Sequence, residues 1–295
     1  MEIIIGVNPD SADHDAMALG SLLARDLGGV PVLAHVYPTA FDYPSMAHVD
    51  VEWVGYLQQE SAEILAEASE RFRLRFGWDH VETASTGHRS SGRGLINLAE
   101  ERGGGSLVVI GSAPSTEVGR FGIGSTADKL LHDSPVPVAL APVGYNRASV
   151  EALGRVVVAF QNTTESLATL ISGAEYAEQL QVPLRILTLL IRHRMFGSNL
   201  GADAEEMVLR QFEQDSRAAH SEALAEVTIS VPTDSVTPTG DSVRSAMERV
   251  DWEGDELLLL GSAAGGPLRR VFLGDMTYKL VRATPVPAVV LPRRT

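Results

Sequence analysis

The sequence contains no cysteine in its 295 residues. This absence excludes disulfide bonds, thiolate nucleophiles, and zinc or iron–sulfur sites that depend on cysteine ligands. Lysine is nearly as scarce, since Lys129 and Lys279 are the only two lysines. Nothing in the sequence around either lysine indicates a nucleophilic role.

The sequence also has fewer basic than acidic residues and no long apolar run. The formal net charge is −14 and the isoelectric point is near 5.0, and no basic run could follow a phosphodiester backbone, so nucleic acid is not an expected partner. No apolar stretch reaches about 18 residues, and no hydrophobic leader follows a basic start. These absences predict a cytoplasmic protein with neither a membrane span nor a secretory signal.

Signatures of several enzyme classes are missing as well. The sequence has no G-x-S-x-G elbow, no G-x4-G-K-[ST] phosphate loop and no H-E-x-x-H zinc helix. Asp13, His14 and Asp15 form a cluster that invites a metal-site interpretation, although capping of a helix is the more usual explanation of such a cluster. We therefore predict no catalytic residue and no metal ion.

The composition fits an ordinary soluble globular protein built in two parts. Hydrophobic residues make up 44% of the chain and charged residues 21%, which allows each part to bury a core of its own. A chain of 31.6 kDa exceeds one typical domain and suits two.

The two parts are copies of each other. Residues 126–142 align with residues 276–292 in a single register displaced by 150 positions, so that Lys129 matches Lys279. An internal repeat over so many positions indicates a duplicated domain, and we predict domains at 1–146 and 152–295. The same displacement carries other residues onto their counterparts: Gly111 onto Gly261, Arg120 onto Arg270 and Gly124 onto Gly274.

Short apolar runs alternate with amphipathic segments in each half, as in a parallel sheet with crossover helices. The alternation predicts a doubly wound α/β unit of five strands and four helices per half. In the first half we expect the third helix to open at Gly94. In the second half we expect the third strand at Val227–Val231 and the helix that follows it at Asp241–Val250.

Ligands in doubly wound sheets bind beyond the carboxyl ends of the strands, near the point where the strand order reverses. Two segments would meet there: Asn8-Pro9-Asp10 after the first strand, and the glycine-rich loop from Gly111 to Gly124 after the fourth. This loop is either a phosphate-binding loop or a turn that only connects a strand to a helix. Residues 41–53 and 192–204 are longer than typical connections, and they are expected either to cover the crevice or to form disordered surface loops.

Several segments together resemble a tandem universal stress protein: IIIGVN at the start, AHVY in the second strand, VVIGS and GSTADKLL around the glycine-rich loop, and SPVPV after it. The resemblance covers both halves nearly end to end. It implies an adenine nucleotide alpha hydrolase-like fold, ATP as the ligand with or without Mg²⁺, and a sensor or regulator whose enzymatic activity is at most slow ATP hydrolysis. In the family the last strands pair across a dimer two-fold, so the two halves here are expected to pair within one chain, leaving other surfaces for a homodimer.

The ATP-binding branch of the family carries a loop of the form G-x2-G-x9-G-[ST], which maps onto the first half with one departure. Pro114 replaces the second glycine and removes one N–H donor. The resemblance implies that phosphate oxygens meet the backbone around Gly124, where a helix N-terminus adds donors, and that Arg120 offsets part of the phosphate charge. The expected phosphate-binding residues are Gly111, Gly124, Ser125, Thr126 and Arg120.

The adenosine end of the expected site also departs from the family pattern. Asn8 stands where the family has an aspartate, and its amide oxygen still accepts a hydrogen bond but lacks the charge that strengthens it. Asp10 substitutes for that aspartate if the turn bends inward, although an Asp after Pro more often closes a turn or caps a helix. Val36 is expected to meet the adenine edge through its backbone, and the adjacent His35 is expected to be a packed strand residue.

The second half lies further from the pattern and is predicted to hold a weaker site. Gly261 and Gly274 keep the glycine positions, and Arg270 remains attractive to anions. Asp275 replaces the serine or threonine that starts the helix, and an acid there repels phosphate at close range. Gln161 replaces the aspartate after the first strand of this half.

Two other functions stay open. A universal stress protein that no longer binds nucleotide and acts through protein contacts is favoured by Pro114, Asn8 and Asp275. An enzyme of the wider adenosine-binding α/β group, such as an adenylyl-transferring one, would need an H-x-G-H or S-G-G-x-D-S signature after the first strand, and residues 8–11 match neither.

Overall fold

The fold is a mixed α/β structure in which one ten-stranded sheet runs through both halves of the chain. The computed structural model describes residues 1–8, 13–39, 49–103, 105–114, 116–147, 150–192, 202–262 and 274–292, with the backbone alone at residues 49–51 and 202–206. The two long connections expected to cover the crevice, at 41–53 and 192–204, fall mostly outside these ranges.

The described residues of the first half form five strands and four helices, the numbers predicted. They are β1 (Glu2–Gly6), α1 (His14–Asp26), β2 (Val30–Tyr37), α2 (Val49–Phe76), β3 (Glu82–Gly87), α3 (Ser91–Glu101), β4 (Ser106–Gly111), α4 (Ser125–Asp133) and β5 (Val138–Ala141). Strands β1 and β4 have continuous apolar centres because helices cover both faces of the sheet. Helix α3 begins before the predicted Gly94 because the Ser90 hydroxyl accepts a hydrogen bond from the Arg93 N–H and caps it.

The second half repeats this order and adds two short strands. Its elements are β6 (Arg155–Ala159), α5 (Thr164–Leu180), β7 (Leu184–Leu187), β8 (Leu190–Ile191), α6 (Ala202–Glu226), β9 (Thr233–Val236), β10 (Thr239–Gly240), α7 (Val243–Met247), β11 (Glu256–Gly261), α8 (Asp275–Ala283) and β12 (Ala288–Leu291). Strands β8 and β10 pair in parallel as a separate two-stranded sheet that the sequence pattern did not predict.

Two predicted elements of the second half were misplaced. The outer strand β9 lies beyond the predicted Val227–Val231, because an edge strand is half-exposed and carries no apolar run to mark it. The apolar side chains of Val227, Ile229 and Val231 pack against the core from irregular chain instead. Helix α7 is shorter than the predicted Asp241–Val250, because Ser242 and Ser245 close a capping box that fixes its start.

The strand order in the large sheet is β3-β2-β1-β4-β5-β12-β11-β6-β7-β9. Neighbouring strands are parallel within each half, whereas β5 and β12 pair antiparallel, with Ala139 opposite Val289. The last strands of the two halves therefore pair within the chain, as predicted. This pairing removes two apolar edges that would otherwise be open to other chains.

Apolar side chains form two layers, one on each face of the sheet. Ile3 and Ile5 of β1 point into the layer beneath α1, α2, α5 and α6, and Ile4 points into the layer beneath α3, α4, α7 and α8. Both layers cross the junction between the halves, since Ala139 and Val289 belong to the first layer and the neighbouring β5 and β12 residues to the second. The two halves thus share a core.

Helix α1 also holds the segment that leads from one half to the other. The Asp15 carboxylate is 3% exposed as a residue and accepts the N–H of Gly144 at 2.9 Å and the N–H of Asn146 at 2.8 Å. Asp26, at the end of the same helix, accepts the N–H of Leu153 at 2.9 Å. These carboxylates satisfy backbone donors that no strand or helix satisfies.

We expect Asp15→Ala to lower the free energy of unfolding by about 2 kcal/mol, because it leaves two half-buried N–H groups without their charged acceptor. Urea unfolding followed by circular dichroism measures this change. Asp241→Ala, which removes an exposed carboxylate of the second half, serves as the control and should leave the midpoint unchanged. Equal midpoints for both variants would show that Asp15 does not hold the connecting segment.

Candidate functional site

Two crevices open at the carboxyl ends of the strands, one in each half. The first has a volume of about 280 Å³ and lies between the ends of β1, β2 and β4 and the start of α4. This volume is near the lower end of the range for small-molecule sites. Six of the residues predicted from the first-half pattern line it: Asn8, Val36, Gly111, Gly124, Ser125 and Thr126.

The start of helix α4 forms one wall of the first crevice. Gly124 occupies the N-cap position, and no side chain caps the helix there. The first N–H groups of a helix have no partner within the helix and carry the positive end of its dipole. A Cβ atom on Gly124 would lie 3.3 Å from the Cβ of Ala113 in the crevice wall. Because glycine has no side chain, a ligand can approach the backbone of the helix start at this point. The arrangement suits an anion.

The glycine-rich loop is closed by its own hydrogen bonds. The Ser112 hydroxyl accepts the N–H of Gly122 at 2.7 Å, and the N–H of Ala113 donates to the Gly122 carbonyl at 2.9 Å. The Thr116 hydroxyl donates to the Ala113 carbonyl at 2.8 Å. Pro114, which lines the crevice, sits in this closed turn, where the bonds of its neighbours hold the loop without the N–H that proline lacks.

Arg120 is not among the residues that line the first crevice. Its guanidinium reaches into the second half, where it donates to the carbonyl of Ala283 and lies 3.1 Å from a carboxylate oxygen of Glu248. The carbonyl at the end of α8 and the acid after α7 are fixed, complementary partners for a guanidinium. Arg120 therefore ties the glycine-rich loop to the other half, and its predicted contact with phosphate stays a prediction.

Asn8 follows β1, and Val36 is the second-last residue of β2; both line the first crevice. His35 is 9% exposed, and its Nδ1 lies 2.7 Å from the hydroxyl of Ser61 on α2. Burial lowers the pKa of His35, and the charge of Glu60 opposes this shift. His35 is thus a packed strand residue, as the sequence predicted, and it also contributes to the crevice wall. Asp10 lies outside the described residues.

The sequence reasoning missed Asp13, which lines the first crevice. Its side chain is 4% exposed, and its Oδ2 accepts no hydrogen bond from the described chain. The nearest cation is Arg71 on α2, 3.6 Å from Oδ2. Burial raises the pKa of Asp13 in spite of the attraction of Arg71 and His14. Asp13 occupies the N-cap position of α1 but makes no capping hydrogen bond, contrary to the expected role.

The metal-site interpretation of this cluster is not supported. Both carboxylate oxygens of Asp15 accept backbone N–H groups, which leaves the cluster short of ligands. The described part of the chain contains no group of three or more His, Asp or Glu residues that could hold a metal ion.

Among the described residues, no helix is long and apolar enough to cross a membrane.

The second crevice, of about 290 Å³, has a different chemical character. Gly261 and Gly274 line it as predicted, whereas Arg270 lies outside the described residues. At the start of α8, the Asp275 carboxylate pairs with Lys279 at 2.6 Å. The Thr277 hydroxyl donates to the Gly261 carbonyl at 3.2 Å and thus joins the helix start to the end of β11. A negative charge at the helix start makes this crevice less suited to an anion than the first.

Comparison with known proteins gives consistent matches over the whole chain. The sequence pattern of the universal stress protein family matches residues 1–142 and again residues 153–292. Universal stress proteins of Mycobacterium tuberculosis and Mycobacterium bovis are 33% identical over 298 residues, covering 99% of this chain and 100% of each relative.

Solved structures share the fold at lower identity. A universal stress protein from Archaeoglobus fulgidus gives a TM-score of 0.64 at 14% identity, covering 99% of this chain and 98% of that one. A protein of unknown function from Pseudomonas aeruginosa gives a TM-score of 0.57 at 14% identity, covering 99% of this chain and 92% of that one.

The buried histidines predict how stability depends on pH. Burial lowers the pKa of both His35 and His220, so the folded state binds these protons less tightly than the unfolded chain. Above the unfolded pKa of about 6.5 both histidines are neutral in either state, and the fold keeps its full stability. As the pH falls from there through the lower folded pKa, the unfolded chain takes up protons first, and the free energy of unfolding decreases. We expect the urea midpoint to fall between about pH 7.5 and pH 5.5, and His35→Gln to reduce that fall. Replacing the exposed His80 in the same way should change nothing, and a His35→Gln profile that parallels the parent would refute this explanation.

Proposed function

We propose that this chain, which belongs to the universal stress protein family, binds an adenine nucleotide such as ATP in the first of its two crevices. In this proposal it acts as a sensor or regulator rather than as an enzyme. The observation that carries the proposal is the start of α4, which opens into the first crevice at Gly124 without a side-chain cap.

The phosphate end of the nucleotide is assigned to this helix start. The N–H groups of the first turn and the hydroxyls of Ser125 and Thr126 are donors of the kind that bind phosphate oxygens. In the loop, the N–H groups of Ala113 and Gly122 already donate within the loop itself. The helix start is therefore the main source of donors, and the proline at 114 removes little from the site.

The nucleoside end is assigned to the ends of β1 and β2, where Asn8 and Val36 line the crevice. The backbone at Val36, near the end of β2, carries a donor and an acceptor that match the edge of a base, and Asn8 contributes an amide side chain to the same wall. The resemblance to the ATP-binding branch of the family makes adenine the preferred base. Mg²⁺ would accompany the nucleotide through its phosphates, since the described residues supply no metal site.

A route for signalling follows from the contacts of the glycine-rich loop. Arg120 joins the loop to Glu248 and Ala283 of the second half, and Glu117 lies 3.5 Å from Arg244. A nucleotide bound at Gly124 would shift the loop and so alter the geometry of these pairs. Occupancy of the first crevice would then alter the surface around α7 and α8, which is the surface we assign to partner contacts.

A regulator that works through protein contacts without nucleotide is the second candidate. It is favoured by an exposed aromatic pair on α2, where the rings of Trp53 and Tyr56 stack with centroids 5.5 Å apart. Apolar side chains exposed in this way are common at protein interfaces. A homodimer is one form that such contacts could take.

Calorimetric titration with ATP and Mg²⁺ tests the proposal, with Gly124→Val and Gly274→Val as a matched pair from the two halves. Gly124 has an extended backbone that valine can adopt, but its Cβ would lie 3.3 Å from the Cβ of Ala113, so the substitution narrows the crevice and requires a small shift of Ala113; the melting temperature of the variant is measured alongside its affinity. We expect Gly124→Val to weaken ATP binding by at least about tenfold, the loss of one charged hydrogen bond.

Gly274→Val alters the equivalent position in the second crevice and should leave ATP binding unchanged. No heat and no thermal stabilisation of the parent protein at millimolar ATP would overturn the proposal. If Gly274→Val weakened ATP binding and Gly124→Val did not, the nucleotide site would be assigned to the second half. Steady release of ADP by the parent, well above that of Gly124→Val, would indicate an enzyme.

A further inference from the structure

Asp13 has an unusual environment for a buried carboxylate. It is 5% exposed and lines the first crevice, yet its Oδ2 accepts no hydrogen bond from the described residues. Arg71 lies at ion-pair distance, 3.6 Å from Oδ2, but a pair at this distance does not supply a hydrogen bond. A buried acceptor without a donor costs free energy unless something outside the chain satisfies it.

The structure contains a close comparison on the same helix. Asp15 is buried to a similar extent, at 3% exposed, and its two oxygens accept two backbone N–H groups. The chain therefore satisfies a buried carboxylate fully where its role is structural. Asp13 faces the crevice instead, and no backbone N–H of the described chain serves its Oδ2.

The second half gives another comparison. Thr163 occupies the N-cap of α5 and lines the second crevice, as Asp13 occupies the N-cap of α1 and lines the first. The Thr163 hydroxyl accepts the N–H of Ser166 at 3.2 Å and caps its helix. Asp13 makes no such bond, so helix capping does not explain its carboxylate.

We infer that Asp13 is a ligand-binding residue whose carboxylate accepts a hydrogen bond from the nucleoside part of the bound nucleotide. This inference rests on the proposed function. A carboxylate repels phosphate, so it belongs at the nucleoside end, away from the start of α4. The donors that a nucleoside offers there are the ribose hydroxyls and the amino group of adenine, and the carboxylate selects a ligand that presents one of them.

The same geometry predicts opposite effects on stability and on binding. Removing a buried carboxylate whose Oδ2 has no donor relieves a cost of the folded state, whereas removing a carboxylate with both oxygens satisfied adds one. Without ligand, Asp13→Ala should melt at the same temperature as the parent protein or higher, and Asp15→Ala should melt lower. Groups that bind ligands are often unfavourable for stability in this way.

The experiment measures ATP affinity by calorimetry and melting temperature without ligand for the parent, Asp13→Ala, Asp13→Asn and Asp15→Ala proteins. We expect Asp13→Ala to weaken ATP binding by roughly 10- to 100-fold, the range for a hydrogen bond to a charged group. Asp13→Asn keeps a neutral acceptor and should lose less. Asp15→Ala, compared below its lower melting temperature, should bind ATP as the parent does.

Three ATP analogues identify the donor: 2′-deoxy-ATP, 3′-deoxy-ATP and inosine triphosphate, which lacks the amino group. The analogue without the contacted donor should bind the parent weakly, but should bind Asp13→Ala as well as ATP does, because the interaction is already absent. The inference would be overturned if Asp13→Ala weakened the binding of ATP and of all three analogues equally. It would also be overturned if Asp13→Ala melted below the parent protein, or if it bound ATP with unchanged affinity. Failure of the parent to bind ATP would instead overturn the proposed function and this inference with it.

Discussion

The antiparallel pairing of β5 with β12 is the interaction on which the rest of the molecule depends. Each of these strands is apolar and buried on both faces, and neither half could expose it to water without a large cost. Because the pair is antiparallel, the two parallel sheets are related by an approximate two-fold axis, and the helices of both halves cover shared apolar layers. The same pairing brings the glycine-rich loop of the first half against the end of α8.

Helix α8 connects this junction to the second crevice. Its start at Asp275 lines that crevice, and the carbonyl of Ala283 at its end accepts a hydrogen bond from Arg120 of the first half. A helix of nine residues is about 13 Å long. One helix therefore spans the distance between the glycine-rich loop of the first half and the lining of the second crevice. The two copies differ at the first residue of this helix: α4 begins with the neutral Ser125, whereas α8 begins with Asp275, whose carboxylate pairs with Lys279.

Sequence patterns predicted those features that depend on burial or on local backbone chemistry. Apolar runs marked the central strands because helices cover both of their faces. The pairing of β5 with β12 was predicted from the family resemblance, in which last strands pair across a two-fold, together with the internal repeat. Strand β9 escaped detection because half of its surface faces water. The sequence did not predict the contacts of Arg120 for a different reason. Glu248 is 128 positions away in the sequence, and only the folded sheet brings the two side chains together.

Asp13 and Asp15 show where the limit of sequence reasoning lies. Both are acids in one short polar stretch at the start of a helix, and dipole and capping rules give them the same role. Their roles diverge because the chain from Gly144 to Asn146 passes over Asp15 and supplies its N–H groups, while Asp13 faces a crevice. A buried carboxylate is structural or ligand-binding according to which donors lie opposite it. Those donors come from a segment about 130 residues away that follows β5, so the sequence around the two acids could not show which of them the chain would satisfy.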